Sequence, residues 1–427
     1  MSQFLKKMLG AAAGSLMIST AAIAQDDTIK VGILHSLSGT MAISETTLKD
    51  TMLMLIEERN AKGGVMGKQL EAVVVDPASD WPLFAEKARE LLTVSEVDVM
   101  FGCWTSVSRK SVLPVIEELN GLLFYPVQYE GEESSKNVFY TGAAPNQQAI
   151  PATDYYLEEL GVEKFALLGT DYVYPRTTNN ILESYLKDKG IAEEDIFVNY
   201  TPFGHSDWSK IVSDVVALGA DGKKVGVIST INGDANIGFY KELAAQGISA
   251  EDIPVVAFSV GEEELSGLDT SNLVGHLAAW NYFQSADTDA NAEFIEKWKA
   301  FAGEDRVTND PMEAHYIGFN MWVNAGEAAG TTDVDAVREA MWGQEFPNLT
   351  GGTAVMGTNH HLAKPVLIGE ILEDGQFDII SETDPVPGDA WTDFLPESAV
   401  LKSDWKELEC GMYNTDTETC VQLESNY

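Results

Sequence analysis

The residues that could do chemistry lie mostly in short polar segments, each of which follows an apolar run. After "VDVMFG" come Cys103, Trp104, Thr105 and Ser106, and after "LLF" comes "YPVQYEG". After "KFALLG" comes "TDYVYPR", and after "KVGVIS" comes "TINGDAN". These segments supply aromatic rings, hydroxyls and amides but few cations. Such side chains suit a small, uncharged, planar ligand, which rings sandwich while neutral donors and acceptors bind its polar edge.

Other chemistries fit the sequence less well. A phosphate or carboxylate ligand calls for Arg, Lys or a glycine-rich turn, yet there is no "GxxxxGK[ST]" and no "GxGxxG" after a strand. Arg109 and Arg176 lie beyond their strands, where a structural role at a helix start is expected. A hydrolase needs an activated nucleophile or a metal-bound water. Cys103 is interpreted as a small buried apolar residue, and the sequence does not favour an enzyme.

Two further motifs invite a metal interpretation. His360 and His361 are adjacent, so on an extended strand they point to opposite faces and do not easily bind one ion. The acidic stretches "GEEELSGLD" and "DTDAN" lack the spacing of a calcium loop and are predicted to be solvated faces. We therefore predict neither a metal site nor a cofactor.

The elements that must position these residues alternate along the chain. "IKVGILH", "LEAVVVD", "VDVMFG" and "LLFYPV" are short β-branched runs separated by amphipathic helical patterns, and the series restarts after "APNQQAIP". This order predicts an α/β fold with two doubly wound parallel-sheet lobes. Ligands of such sheets bind where loops leave the carboxyl ends of the strands. "VLIGEILEDGQFDII" predicts a hairpin around Asp374 and Gly375.

The first 24 residues read as a cleavable signal peptide, with Lys6 and Lys7, an apolar stretch and "AIA" before Gln25. Removing those two lysines changes the formal charge from −40 to −42, which argues against nucleic acid and anionic membranes as partners. No later apolar run reaches the ~18 residues of a membrane span. In an oxidising compartment we expect Cys410 and Cys420 to form a disulfide.

Seven strings together resemble the periplasmic urea-binding proteins of ABC urea transporters: "GCWTSVSRK", "FYPVQYEG", "TGAAPNQQAIPA", "GTDYVYPRTTN", "INGDAN", "AAWNYFQS" and "DPMEAHY". The resemblance runs from about Thr28 to Trp391, and the broader kinship is with type I periplasmic binding proteins. It implies two lobes joined by a three-strand hinge. The first lobe is expected at 28–145 and 277–345, the second at 146–276 and 346–400, and a tail at 401–427.

The resemblance also implies which residues bind the ligand. They are Trp104, Thr105, Ser106, Tyr125, Val127 and Gln128 on the first lobe, and Tyr172, Tyr174 and Asp234 on the second. Relatives that bind short aliphatic amides tend to have Tyr, Thr and Pro where this chain has Trp104, Val127 and Gln128. The larger indole reduces the space for an alkyl tail, and Gln128 adds an acceptor for N–H groups. Structural roles stay open for Ser106, as a helix N-cap, and for Asp234, as a dipole cap.

The expected function is therefore that of a periplasmic solute-binding protein. The lobes would close on urea and present it to the membrane permease subunits of an ABC transporter. A short-chain amide binder and an exported amide sensor paired with a membrane kinase are the alternatives.

Overall fold

The computed structural model describes residues 28–266, 268–404 and 410–420. The predicted signal peptide at 1–24 lies outside these residues. Among the residues described, no helix combines the length and apolar character needed to cross a bilayer.

The elements follow one another in a regular order. Helices and strands are β1 Ile29–Leu34, α1 Ala42–Ala61, β2 Leu70–Val75, α2 Trp81–Glu90, β3 Val99–Gly102, α3 Ser106–Glu118, β4 Leu123–Tyr125, β5 Val138–Tyr140, α4 Ala149–Glu158, β6 Lys164–Thr170, α5 Val173–Asp188, β7 Ile196–Thr201, α6 Ser209–Leu218, β8 Val225–Thr230, α7 Ala235–Ala245, β9 Val255–Ala257, α8 Glu262–Leu265, β10 Leu277–Trp280, α9 Asp289–Ala302, α10 Asp310–Ala329, α11 Val334–Met341, β11 Glu345–Pro347, β12 Thr353–Met356, β13 Leu362–Lys364, β14 Leu367–Ile371, β15 Phe377–Glu382, β16 Val386–Pro387, β17 Leu401–Asp404, β18 Cys410–Asn414 and β19 Thr419–Cys420.

Two sheets form the two predicted lobes. The first has five parallel strands in the order β2-β1-β3-β4-β5. The second has seven strands in the order β15-β14-β10-β9-β8-β6-β7, of which β6 to β10 are parallel. Strands β3, β4, β6 and β8 are buried along their whole length, as the continuous apolar runs predict for strands covered by helices on both faces. The predicted doubly wound α/β fold is confirmed.

The hairpin predicted around Asp374 and Gly375 is also confirmed. Strands β14 and β15 pair antiparallel, and Gly375 has a φ of +78°, a conformation that glycine adopts without a Cβ clash. Two small antiparallel sheets complete the fold, one of β11-β12-β13-β16 and one of β17-β18-β19 in the tail. Cys103 is a free, buried thiol. The side chain of Cys410 lies outside the described residues, so its link to Cys420 stays a prediction.

Strand pairing and packing correct two of the expected lobe boundaries. Strand β10, expected to begin the return to the first lobe at 277, pairs with β9 and β14 of the larger sheet. Leu349, Met356 and Leu362, expected in the second lobe, pack in the core of the first. A short apolar run does not reveal which sheet it joins, because both sheets offer a buried position. We therefore propose that the chain crosses between the lobes near 147, 281 and 365.

One side chain ties these three crossovers together. The amide nitrogen of Asn281, in the second crossover, donates to the carbonyl oxygen of Gln147 at 3.2 Å and to that of Pro365 at 2.7 Å. Its backbone N–H donates to Asp310 at 2.9 Å, at the start of α10. The Gln147 side chain in turn donates to the Leu362 carbonyl oxygen at 2.7 Å. Asn281 is buried. Its hydrogen bonds therefore hold together crossovers that are far apart in sequence.

We expect Asn281→Ala to lower the free energy of unfolding by about 1–3 kcal/mol, because it leaves buried carbonyl groups without a donor. Guanidinium chloride unfolding followed by circular dichroism measures the change. The exposed Asn180→Ala in α5 is the control, and a loss no larger than that of the control would contradict a structural role for Asn281.

Candidate functional site

The segment between β3 and α3 forms the first wall of the site. Trp104, Thr105 and Ser106 are all buried there. Thr105, rather than Ser106, is the N-cap of α3: its side-chain oxygen accepts from the backbone N–H of Ser108 at 3.1 Å. Cys103 has a φ of +65°, which is rare for a residue with a side chain, and burial raises the pKa of its thiol. The thiol is therefore protonated, as expected of a packing residue.

The loop after β4 packs directly beside Trp104. The Tyr125 hydroxyl donates to the carbonyl oxygen of Trp104 and lies 3.4 Å from that of Gln128. Val127 and Gln128 are buried, and a Cβ on Gly142 would lie 2.2 Å from the Val127 carbonyl carbon, so only glycine permits this close approach. Trp104 and Gln128 are thereby brought next to each other, and the hydroxyl hydrogen of Tyr125 is used within the protein.

A buried ion network supports both loops from below. The Arg109 guanidinium donates to Glu133 at 2.7 Å and to Ser106 at 3.1 Å, and lies 3.4 Å from Glu130. It is held between the rings of Tyr125 and Tyr129, 4.6 and 4.7 Å from their centroids. Burial alone would raise the pKa of Glu133, but the charges of Arg109 and Lys110 lower that pKa well below its usual value. Arg109 is therefore a structural cation, as expected from its position.

The same network engages the Ser106 hydroxyl. Ser106 donates to Glu130 while it accepts from Arg109. Its single hydroxyl hydrogen is therefore directed to a carboxylate of the protein. The role of Ser106 in ligand binding stays a prediction, and the structure adds a positioning role for it.

The second wall lies at the start of α5. Tyr172 directly precedes the helix and Tyr174 is its second residue, and their ring centroids are 6.2 Å apart. The Tyr172 ring also packs on Phe203 at 5.0 Å, and Phe203 contacts Trp81 of the first lobe at 5.4 Å. Burial raises the pKa of Tyr172 well above its usual value, and Tyr125 of the first lobe and Tyr174 raise it further. The aromatic side chains of the two lobes therefore face each other.

Gln128 connects the first wall to a further segment of the second lobe. Its amide nitrogen donates to the Phe258 carbonyl oxygen and to the Ser259 hydroxyl, both at 2.7 Å and both just after β9 of the second lobe. A second contact joins the Ser44 hydroxyl to Glu264 at 2.7 Å. The lobes therefore touch on the cleft side. The sequence analysis did not single out Phe258 and Ser259, although applying the strand-end rule to "PVVAFSV" would have found them.

Two polar atoms at this junction, the indole nitrogen of Trp104 and the amide oxygen of Gln128, are buried and form no hydrogen bond within the part of the chain that the structure describes. Burial raises the pKa of the Tyr174 hydroxyl, and hydrogen bonding with the side chains of Gln128 and Ser259 lowers it. The site thus offers an N–H donor, a protonated hydroxyl and a pure acceptor, a set that fits an uncharged amide.

Asp234 is the predicted site residue that the structure does not bring into this group. It is exposed at the start of α7, and its side chain makes no capping hydrogen bond. It is nevertheless the N-cap residue of α7, the position at which a carboxylate interacts favourably with the helix dipole, so the dipole role considered from the sequence stays open. Its contact with ligand stays a prediction.

The adjacent histidines have separate structural partners. His360 Nδ1 lies 2.9 Å from the Val138 carbonyl oxygen, and His361 Nε2 lies 2.6 Å from the Tyr129 hydroxyl. Burial lowers their pKa values to about 3 and about 4. Within the described ranges, no group of three or more His, Cys, Asp or Glu residues is arranged to hold a metal ion.

The sequence analysis missed two groups of buried polar residues, one within the first lobe and one where the second lobe contacts it. His35, directly after β1, lies 3.2 Å from Glu45 and 2.9 Å from His315, in a fully buried cluster. The stretch "GEEELSGLD" is not a solvated face, because Glu262 and Glu264 are buried against the first lobe and the hinge. Neither the histidine cluster nor these glutamates carry a periodic signal, since their partners come from other elements.

A family model described as "Periplasmic binding protein domain" matches residues 29–397. The chain therefore belongs to the periplasmic binding protein family, and its fold is that of type I members. Leu/Ile/Val-binding protein homolog 6 of Brucella melitensis is 23% identical over 365 residues, which cover 84% of this chain and 91% of that protein. Limonene hydroxylase of Geobacillus stearothermophilus is 33% identical over 154 residues, or 36% of this chain, and the match spans only 28% of that protein.

Solved structures agree with the family. A solute-binding protein of an ABC transporter from Rhodopseudomonas palustris HaA2, in complex with p-hydroxybenzoic acid, superposes with a TM-score of 0.75 at 21% identity. The match covers 84% of this chain and 98% of that one. The family and these structural neighbours are solute-binding proteins rather than enzymes, which confirms that part of the prediction. The ligand of this chain is a separate question, because an identity this low shows the fold alone.

The buried carboxyl of Glu262 predicts the direction in which the stability of the fold changes with pH. Burial raises its pKa from 4.5 to about 8, while its carboxyl oxygen accepts from the Gln284 N–H at 2.6 Å. Between those two pH values the folded state keeps a proton that the unfolded chain releases. Stability from this group is therefore greatest at low pH and is lost as the pH rises towards 8.

We expect Glu262→Gln, which needs no proton, to gain stability over the wild type by up to about 1.4 kcal/mol per pH unit between pH 5 and pH 8. Guanidinium chloride unfolding at four pH values measures the difference. Glu304→Gln at an exposed position is the control and should follow the wild type. A constant gap between Glu262→Gln and the wild type would show that the carboxyl is ionised in the fold.

Proposed function

We propose that this chain is an exported, periplasmic receptor that captures urea between its two lobes and delivers it to the permease subunits of an ABC transporter. The observation that carries the ligand assignment is the pair of buried, unpaired polar atoms on Trp104 and Gln128, beside the protonated hydroxyl of Tyr174. Urea is planar and uncharged. Its carbonyl oxygen would accept from the Trp104 N–H and the Tyr174 hydroxyl, and its NH₂ groups would donate to the Gln128 oxygen.

The charges around the site support a neutral ligand. Arg109 and Lys110 are the cations beneath the first wall, and both are paired with Glu133 and lie within 3.7 Å of Glu130. A ligand carboxylate would therefore meet no unpaired cation here and would face the Gln128 oxygen. The curated relatives are named for Leu, Ile and Val, and the structural neighbour is bound to p-hydroxybenzoic acid. Each of these compounds carries a carboxylate. The paired cations therefore offer no free positive charge to such a ligand.

The packing around the site is the reason we expect urea to bind better than longer amides. Trp104 and Val127 are buried on one wall and Tyr174 on the other, so that an alkyl tail would have to displace packed side chains. A short-chain amide binder is the second candidate, because acetamide presents the same carbonyl and one NH₂ group. An exported amide sensor would use the same site and would differ only in its membrane partner.

Calorimetric titration with urea, acetamide and butyramide tests the assignment. We expect urea to bind most tightly and to raise the melting temperature most, because only urea has two NH₂ groups and no tail. A response to butyramide equal to or above that to urea would contradict the proposal. No binding of any of the three would contradict both urea and short-chain aliphatic amides as ligands.

The indole N–H can be tested separately from the ring. Trp104→Phe removes the donor and keeps an aromatic side chain, and we expect it to weaken urea binding by roughly 10-fold. Trp298→Phe in the core of the first lobe is the matched control, since its indole nitrogen is also buried without a partner among the described residues. The control should lower stability to a similar degree but leave the affinity for urea unchanged. Equal affinities for all three proteins would remove Trp104 from the site.

A further inference from the structure

The Gln128 amide is oriented by the second lobe. Its nitrogen has two hydrogens, and both are used, one by the Phe258 carbonyl oxygen and one by the Ser259 hydroxyl. The Phe258 oxygen also accepts from the side-chain nitrogen of Gln148 in the first crossover, at 3.2 Å. A carbonyl oxygen only accepts, so this atom determines which end of the Gln128 amide faces it.

The opposite orientation is costly. Turning the amide over would place the Gln128 oxygen against the Phe258 oxygen, and two acceptors would then face each other in a buried position. Ser259 does not decide between the orientations, because a hydroxyl both donates and accepts. Phe258 is therefore the group that imposes the direction, and Ser259 adds a second hydrogen bond to it.

We propose that Gln128 is a closure-dependent selectivity residue: when the lobes meet, the Phe258 carbonyl fixes the Gln128 amide with its oxygen towards the ligand, so that the closed state retains only ligands that present an N–H group there. The inference rests on the proposed function and adds to it the reason for discrimination. A planar carboxylate such as acetate resembles urea in shape but offers only acceptors, and it would meet the buried Gln128 oxygen without a hydrogen between them.

The decisive variant is Gln128→Glu. It keeps an oxygen towards the ligand and replaces the nitrogen that donates to Phe258 and Ser259 by a second oxygen. At pH 8 we expect it to weaken urea binding by roughly 100-fold or more, because an ionised carboxylate is repelled by the Phe258 oxygen. Small-angle scattering should then show no compaction on adding urea. Because burial raises the pKa of a carboxyl, we expect this carboxyl to be protonated in part at pH 5 and to donate to Phe258, so that both affinity and compaction recover in part.

Three further measurements separate the possible outcomes. Ser259→Ala should weaken urea binding by only roughly 2- to 10-fold and still reject acetate, since Phe258 continues to orient the amide. Gln69→Glu, at an exposed site, adds the same charge and should bind urea like the wild type at both pH values. If Gln128→Glu binds urea at pH 8 as tightly as the wild type, the proposed orientation of Gln128 by Phe258 is wrong, although the receptor function stands. If the wild type itself does not bind urea, the proposed function fails first.

Discussion

The buried charge of Arg109 is the constraint on which the first wall of the cleft depends. The guanidinium joins the helix after β3 to the loop after β4 through Ser106, Glu130 and Glu133. These two loops carry Trp104 and Gln128, so the relative position of the polar atoms in the site follows from the ion network beneath them. Removing one partner of such a network would leave an uncompensated buried charge, a change that costs about 3–5 kcal/mol.

The same network neutralises the charged residues beneath the first wall. The carboxylates of Glu130 and Glu133 and the cations of Arg109 and Lys110 satisfy one another, and Tyr140 donates a further hydrogen bond to Glu133 at 2.9 Å. What remains towards the other lobe is an indole, an amide and phenols. The charges therefore provide rigidity, while the groups that face the other lobe are neutral.

Sequence patterns predicted the parts of this molecule that depend on local periodicity. The run "VDVMFG" becomes the buried strand β3, and the polar residues after it become one wall of the cleft, because the carboxyl ends of parallel strands share one edge of the sheet. The resemblance supplied Tyr172 and Tyr174, which do face the first lobe. Their proximity comes from the turn into α5.

What the sequence did not predict depends on contacts between distant segments. The partner of Gln128 lies 130 residues away, and those of Asn281 lie 134 and 84 residues away. Strand β10 is apolar enough for either sheet, and only its pairing with β9 assigns it to the second. The acidic stretch "GEEELSGLD" is predicted from sequence to be solvated for the same reason. Its burial follows from distant partners, Ser44 for Glu264 and Gln284 for Glu262.

Closure in such a structure is a balance between two groups of contacts. The hydrogen bonds of Gln128 to Phe258 and of Ser44 to Glu264 need no ligand, and each favours the closed state by about 1 kcal/mol. The unpaired atoms of Trp104 and Gln128 oppose it, since each buried unsatisfied group costs about 1–3 kcal/mol. A ligand that forms hydrogen bonds with these atoms removes this cost and leaves the favourable contacts between the lobes in place. Because a ligand shifts a conformational equilibrium only by its differential affinity for the two states, hydrogen bonds available only in the closed cleft are the ones that convert binding into closure.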